Sequence, residues 1–345
     1  MTFLGLRLPV LLLFLVGFPL FWMVWIGIYA ISPAPPSSQE QIEVVIPSRT
    51  GVAKIQKILA DSQVIRNDDR FTMLAGLLGV ANQLKAGEYA LSSGLRPYEV
   101  LNTLKQGKVL YRPVTIPEGM ELIKVADILS QGGWIDRDRF MELTQDRTFI
   151  MQTGLAADSL EGYLFPDTYF LSKGQQDEAE IIKMMVGNHL KVFDDIMQGG
   201  AQSTTGLQPH GIITLASIVE KETGQPEERP MIARVFLNRL DRNMRLQADP
   251  TVRYATDKLE GPLLRSDLNS PSPYNTYKIK GLPPGPICNP GRAAILAVIH
   301  PADVEYLYFV SKNDSTHHFS KTLQEHNRAV NRYQKQKSGK NIRIQ

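Results

Sequence analysis

Residues 8 to 31 form an unbroken run of 24 without a charged side chain, and Phe14, Phe18, Phe21, Trp22 and Trp25 lie within it. At 1.5 Å rise per residue, a helix of that length reaches about 36 Å, against about 30 Å for the hydrocarbon core of a bilayer. A cleaved signal peptide has an apolar core of only about 7–15 residues, and neither Ala30 nor Ala34 completes a small-residue cleavage site. The run therefore reads as an uncleaved transmembrane anchor, and the rest of the chain has to fold as a tethered body. Arg7 is the only charge ahead of it, and no Lys or Arg follows until Arg49. Under the positive-inside rule, residues 1–7 are cytoplasmic and everything after residue 32 faces outward. In a bacterium this makes a single-pass protein of the inner (cytoplasmic) membrane with its bulk in the periplasm.

Beyond the anchor, 345 residues suffice for two folded units. A Pro/Ser-rich tether occupies 32–41. A duplication follows: 45–65 aligns without gaps with 115–135, pairing Ile46 with Ile116, Pro47 with Pro117, Lys54 with Lys124, Ile58 with Ile128, Leu59 with Leu129 and Ile65 with Ile135. EYALSSG (88–94) and TYFLSKG (168–174) close the two copies with a second echo. Each copy reads as strand, helix, more helix and closing strand, and Val52, Ile55, Ile58 and Leu59 form an apolar stripe at helical spacing. Residues 42–175 are thus two small α+β modules for spacing or for gripping a ligand. The stretch 176–335 has another texture. Helices are expected over 181–197, 210–223 and 227–240, with one starting at an Asn289-Pro290 cap. YLYFV (306–310) and HHFS (317–320) read as a hairpin, and Thr322-x-x-Glu325 opens a last helix with a capping box. The Lys-rich tail 336–345 reads as a solvated end.

Composition narrows the function mainly by exclusion. A net charge of +3 without a basic face argues against nucleic acid as a partner. Cys288 is the single cysteine, so no disulfide framework or zinc quartet exists. HExxH, GxSxG, P-loop and GxGxxG signatures are absent. His317 and His318 are neighbours on an expected strand, where adjacent side chains face opposite ways, so no metal and no cofactor is expected.

What remains is the helix ending in SIVEKETG. At 100° per residue Ile212, Leu215, Ala216 and Val219 form its apolar face, Glu220 and Glu222 sit on opposite shoulders, and Lys221 points away. Either carboxyl is open to desolvation, which raises a carboxylic pKa toward the useful range of a general acid. Glu222 lies in the last turn, where the helix dipole disfavours a carboxylate. On the residues alone both glutamates stay candidates, alongside the plainer reading of surface charges paired with Arg229 or Arg234.

The ordered series VTIPEGM, LEGYLFPDTYFL, SIVEKETG, VFLNRL, MRLQADPTVRY, SPYNTYKIKGLPPGPICNPG, HPA, YLYFV and HHF…EHN resembles the endolytic murein transglycosylase family (MltG, YceG-like). The resemblance covers the anchor and residues 42–333. It implies an α+β protein: a transmembrane helix, LysM-like modules, then a mainly helical lysozyme-like catalytic domain with a small β element. It implies a peptidoglycan lyase cutting the MurNAc–GlcNAc β-1,4 bond within strands, without water, to leave 1,6-anhydro-MurNAc ends and terminate nascent strands. Its catalytic glutamate is the second of the EKE triplet, here Glu222, with Glu220 the alternative. For holding the sugar, Tyr274, Asn275, Thr276 and Tyr277 supply aromatic faces and polar groups, and Gln247, Asp249, Thr251 and Tyr254 a second wall. Asn238 is expected to orient the glutamate, and Glu161 to serve structure or an interface. Penicillin-binding synthases are the implied protein partners. The competing reading is a membrane-anchored, non-catalytic peptidoglycan-binding scaffold. A pyridoxal-phosphate lyase conflicts with the anchor, and no lysine has a fitting context.

Overall fold

The computed structural model describes residues 18–35, 38–198, 205–258 and 261–335. Residues 8–17 of the expected anchor, Pro36 and Ser37 of the tether, residues 199–204 and the 336–345 tail lie outside them. Contacts divide the chain into two compact units, residues 1–114 with 169–177, and residues 115–168 with 178–345. The mixed α+β class expected from the sequence is what the molecule has.

The first unit begins with helix α1 (Phe18–Ile31). Among the described residues no helix is long and apolar enough to cross a membrane. Strand β1 (Ile42–Ile46) pairs antiparallel with β2 (Gly87–Leu91), Ile42 opposite Leu91 and Ile46 opposite Gly87. Helices α2 (Val52–Asp61) and α3 (Arg70–Leu77) lie between them in sequence, and α4 (Pro97–Gln106) follows. The stripe on α2 does what its spacing requires. Ile55 and Leu59 are buried beside Phe71, Tyr89 and Leu104, with Val52 and Ile58 packed at the margin. Truncating a side chain such as Leu59 to Ala would cost about 2–5 kcal/mol. Gly87 has a positive φ of 139° and sits against the Val109 side chain, so a Cβ there has no room.

A second two-stranded sheet joins β3 (Arg112–Thr115) to β4 (Thr168–Leu171). Between those strands run α5 (Leu122–Gln131), α6 (Arg137–Leu143) and α7 (Arg147–Gln152). The order strand, helices, strand thus recurs in the second copy of the duplication. The closing strands bury matching residues, Tyr89 and Leu91 in one, Tyr169 and Leu171 in the other.

In the second unit, α8 (Glu178–Gln198), α9 (Pro209–Glu222), α10 (Arg229–Asp241) and α13 (Arg292–Ile299) supply the helical bulk, with short helices α11 (Asp249–Ala255) and α12 (Arg265–Leu268) between. The single apolar face expected for α9 gives way to burial all round, because every residue from Ile212 to Val219 is buried. Its polar members make this possible by bonding within the helix: Thr214 Oγ1 donates to the His210 carbonyl (2.8 Å) and Ser217 Oγ to that of Thr214 (2.7 Å). Lys221 does not point away either. Its Nζ donates to the Gly119 carbonyl (3.3 Å) and lies 3.7 Å from Glu121.

The expected Asn289 cap is also displaced. Gly291 is the N-cap of α13. Asn289 is buried instead, accepting from Leu164 N and donating to the Met120 carbonyl, both at 2.8 Å. The expected hairpin forms, β5 (Tyr308–Ser311) antiparallel to β6 (His317–Ser320). Helix α14 (Leu323–Val330) opens on the capping box, with Thr322 Oγ1 accepting from Glu325 N at 3.2 Å.

Candidate active site

The helix that buries its whole circumference has to release its last residues somewhere. Helix α9 ends at Glu222 and the chain turns extended at Thr223. Glu222 opens onto a cleft of about 420 Å³ inside the second unit. Arg239 comes from α10, Gln247 from the loop into α11, Asp249 from the first turn of α11, Tyr277 from the loop after α12, Tyr308 and His317 from the hairpin, and His326 from α14. Gln247 holds a left-handed φ of 51°, a conformation that costs a non-glycine residue of order 1 kcal/mol and is characteristic of functional loops.

Glu222 makes no hydrogen bond or ion pair with the described residues. Burial pushes its pKa up to about 8, the carboxylate of Asp249 adds to the rise, and the Arg239 guanidinium opposes it. Asp249 is itself held by the Tyr277 hydroxyl, which donates to Oδ1 at 2.6 Å. Arg239 is buried, with Nε donating to the Leu307 carbonyl at 2.7 Å, Nη1 bonded to that of Leu246, and its guanidinium over the Tyr308 ring. Its Nη2 takes no acceptor among the described residues and remains a donor for a ligand. Buried Glu228 accepts from His317 N (2.7 Å) and, with an imidazole proton on Nδ1, from Nδ1 (2.6 Å), and His317 Nε2 has no partner among the described residues. Thr223 Oγ1 also donates to Glu228, at 3.4 Å, so the residue after Glu222 is tied to the cleft wall.

Glu220 is differently placed. It is engaged on both oxygens, Oε1 by Arg229 Nη2 at 2.9 Å and Oε2 by Gly291 N at 3.0 Å. Burial raises its pKa, and the Gly291 bond and Arg229 oppose the rise. A Cβ at position 291 would meet the carboxyl of exposed Glu118, which would have to swing aside. Glu220 thus locks α9 to the start of α13 and has no free proton site to offer.

The sugar-holding residues expected from the sequence do not all meet. Gln247, Asp249 and Tyr277 line the cleft with Glu222. Tyr274 turns the other way, into a second cavity of about 470 Å³ with Glu161, His210 and Pro284. Tyr254 packs on Tyr274 and donates to Glu161 at 3.4 Å, so it too belongs to that side. Asn275, Thr251 and Thr276 are fully buried. Asn275 Nδ2 donates to the carbonyls of Leu268 and Ser270, and Thr276 Oγ1 accepts from Ala248 N and meets Thr251 Oγ1 at 2.8 Å. These three build the loop that carries Tyr277. Asn238 does not orient the glutamate, since its amide donates to the carbonyls of Val304 and Tyr306, both at 3.0 Å.

The second cavity is the larger, and its Glu161 also has a pKa pushed up to about 8 by burial, yet its geometry is structural. Both Glu161 oxygens accept from Leu122 N, at 3.0 and 3.1 Å, which caps α5. Geometry comes before pKa in assigning an acid, and Glu222 is the raised carboxyl left unpartnered. Sequence reasoning missed Arg239, Tyr308 and His326, and set His317 aside as a poor metal ligand. Strand alternation does send its neighbour His318 to another side, where it packs on Tyr333.

A two-unit α+β protein with one desolvated, unpartnered carboxyl in a polar and aromatic cleft, and a guanidinium donor in the same lining, has the parts of an acid–base enzyme. The chain belongs to the YceG-like family, whose model matches residues 44–332. Endolytic murein transglycosylase of Bacillus subtilis (strain 168) is 33% identical over 328 residues, covering 90% of this chain and 89% of that protein. The protein of the same name from Streptococcus pneumoniae (strain ATCC BAA-255 / R6) is 29% identical over 335 residues, and the match takes in 87% of this chain but 60% of the pneumococcal one. A crystal structure of a yceG-like protein from Listeria monocytogenes matches with a TM-score of 0.57 and 33% identity, over 84% of this chain and 99% of that one.

Proposed function

We propose that this protein is an endolytic murein transglycosylase, a lyase cutting glycan strands of peptidoglycan, with Glu222 as its acid and base. The observation that carries the assignment is Glu222 itself: a carboxyl in a cleft, without a hydrogen bond among the described residues, and with a pKa near 8. At neutral pH it holds a proton for the glycosidic oxygen. Proton transfer breaks the MurNAc C1–O bond and frees the strand that now ends in GlcNAc, with the Asp249 carboxyl in the same cleft as the positive charge that develops on the MurNAc ring. The Glu222 carboxylate, with its raised basicity, then takes the proton of the MurNAc 6-hydroxyl as that oxygen closes on C1. One bond breaks, one forms, and the proton count of the enzyme is restored, leaving a 1,6-anhydro end. Arg239 Nη2 is available to hold a sugar oxygen, and the Tyr277 ring, whose hydroxyl is committed to Asp249, offers a face for a pyranose.

The same reading makes residues 8–31 a membrane anchor with the bulk of the chain in the periplasm. It gives the duplicated modules a LysM-like holding or spacing role, and makes penicillin-binding synthases the expected neighbours. Tethering raises the effective concentration of the enzyme at strands still being made.

Asp249 supports one other chemistry. Two carboxyls in one cleft are the equipment of an ordinary glycosidase, in which water ends up on C1. Digesting purified glycan strands in ¹⁸O-labelled water separates the two. Anhydro ends without label are expected, whereas labelled reducing ends mean hydrolysis. Glu222→Gln should lower the rate about 10²–10⁴-fold, the usual contribution of a general acid. Unchanged turnover in that variant removes Glu222 from the mechanism.

A further inference from the structure

A membrane-spanning helix normally leaves the bilayer before it meets its soluble domain, and α1 does not have that freedom. Trp22, Ile26, Tyr29 and Ala30 recur at helical spacing on one face and pack into the core of the first unit. Its other face, with Phe18, Phe21, Val24 and Ile28, is exposed. The unit meets this helix through α3 and α4.

Depth follows from arithmetic. A span needs about 20 apolar residues, and the apolar stretch 8–31 has 24. Only about four can therefore lie outside the hydrocarbon. Even if all four are at the C-terminal end, Ile28 to Ile31, both Trp22 and Ile26 remain inside. The protein surface packed on Trp22 and Ile26 shares their depth and cannot stand in bulk water.

The two helices that meet α1 carry exposed apolar side chains of their own. Leu77 and Leu78 at the end of α3 are 62% and 44% exposed, Met73 on α3 is 39% exposed, and Tyr98 on α4 is 52% exposed. Leu78 and Tyr98 border a hollow of about 150 Å³ with Lys105 at its edge. Arg70, at the start of α3, is bonded to Asp68 and lies over the rings of Trp25 and Tyr29, 5.2 and 4.6 Å from their centroids. A paired guanidinium on aromatic faces is an arrangement for the headgroup level, where Trp, Tyr and Arg anchor a span.

We propose that the first unit is seated in the outer leaflet of the phospholipid bilayer, with the apolar side chains of α3 and α4, Leu77, Leu78 and Tyr98 foremost, in contact with lipid. The inference rests on the anchor reading. Its consequence is that the duplicated modules start at the membrane surface and are not carried away from it on a free tether.

The test uses the full chain in phosphatidylethanolamine/phosphatidylglycerol vesicles. Leu78→Cys and, separately, Ile28→Cys carry an environment-sensitive fluorophore, and Cys288 is buried. Quenching by acyl-chain nitroxide lipid is compared with quenching by aqueous iodide. The proposal expects strong loss of signal with the lipid quencher and little with iodide at both positions. Iodide reaching Leu78→Cys while Ile28→Cys stays lipid-quenched overturns the seated unit and leaves the anchor standing. Iodide reaching Ile28→Cys overturns the anchor as well. Shielding of Leu78→Cys from both quenchers that fades as protein is diluted in lipid means that a second copy covers the face, which also overturns the proposal. Leu77→Cys repeats the measurement should Leu78→Cys destabilise the unit.

Discussion

Replacing Glu222 by Gln should stabilise the protein, and by an amount that depends on pH. In the folded chain the carboxyl holds its proton to about pH 8, against 4.5 when unperturbed. Between those values the folded state binds more protons than the unfolded one, so stability falls as pH rises through the window. The full difference corresponds to about 5 kcal/mol at 1.36 kcal/mol per unit, reached above pH 8. The cleft admits water, so a discount of roughly half leaves about 2 kcal/mol. Gln has nearly the same shape and no charge to desolvate, and escapes that cost. For a body of this size 2 kcal/mol is about 4–8 °C in melting temperature. Thermal unfolding of both proteins from pH 5 to pH 9 reads this directly. Glu161 titrates near the same pH but is present in both, so the difference isolates position 222. The expected difference is near zero at pH 5 and grows to several degrees at pH 8. A difference independent of pH, or one favouring the wild type at high pH, refutes the desolvated acid.

Two further outcomes follow from the same geometry. Glu220→Gln leaves buried Arg229 without its near partner and should cost about 3 kcal/mol in denaturant unfolding, while product formed per folded molecule persists; loss of product with stability unchanged would move the catalytic role to Glu220. Asp249→Asn removes a charge that raises the Glu222 pKa, so the alkaline limb of the rate profile should shift to lower pH by roughly one unit; an unmoved limb would free Glu222 from Asp249.

Much of this was legible in sequence, for identifiable reasons. Periodicity and capping chemistry are local, so the stripe on α2, the 308–320 hairpin and the Thr322 box all appear where their residues require. The duplicated strand order was visible because identical pairs at a fixed offset need no structure to detect. The site was legible only in part. Proximity in sequence does not decide which way a loop residue turns, and Tyr274 and Tyr277, three positions apart, enter different cavities. Asn238 looked available because its polar amide sits on a helix, but the carbonyls that occupy it come from residues 304 and 306, far along the chain. A cation in an amphipathic helix ordinarily reads as solvated, so nothing local in the sequence marks Arg239. Its burial depends on carbonyls contributed by Leu246 and Leu307. The two glutamates could not be separated on a wheel, since what distinguishes them is Arg229 and Gly291 reaching one and leaving the other bare.

Carboxyl-stretch difference infrared spectroscopy, comparing wild type with Glu222→Gln across pH 5–10, measures the protonation state on which the proposed chemistry turns. The predicted result is a protonated-carboxyl band, lost near pH 8, in the wild-type-minus-variant difference, where the band of Glu161, common to both proteins, cancels. A residue-222 carboxyl already ionised at pH 6 would contradict the account, because the cleft would then have no proton to give.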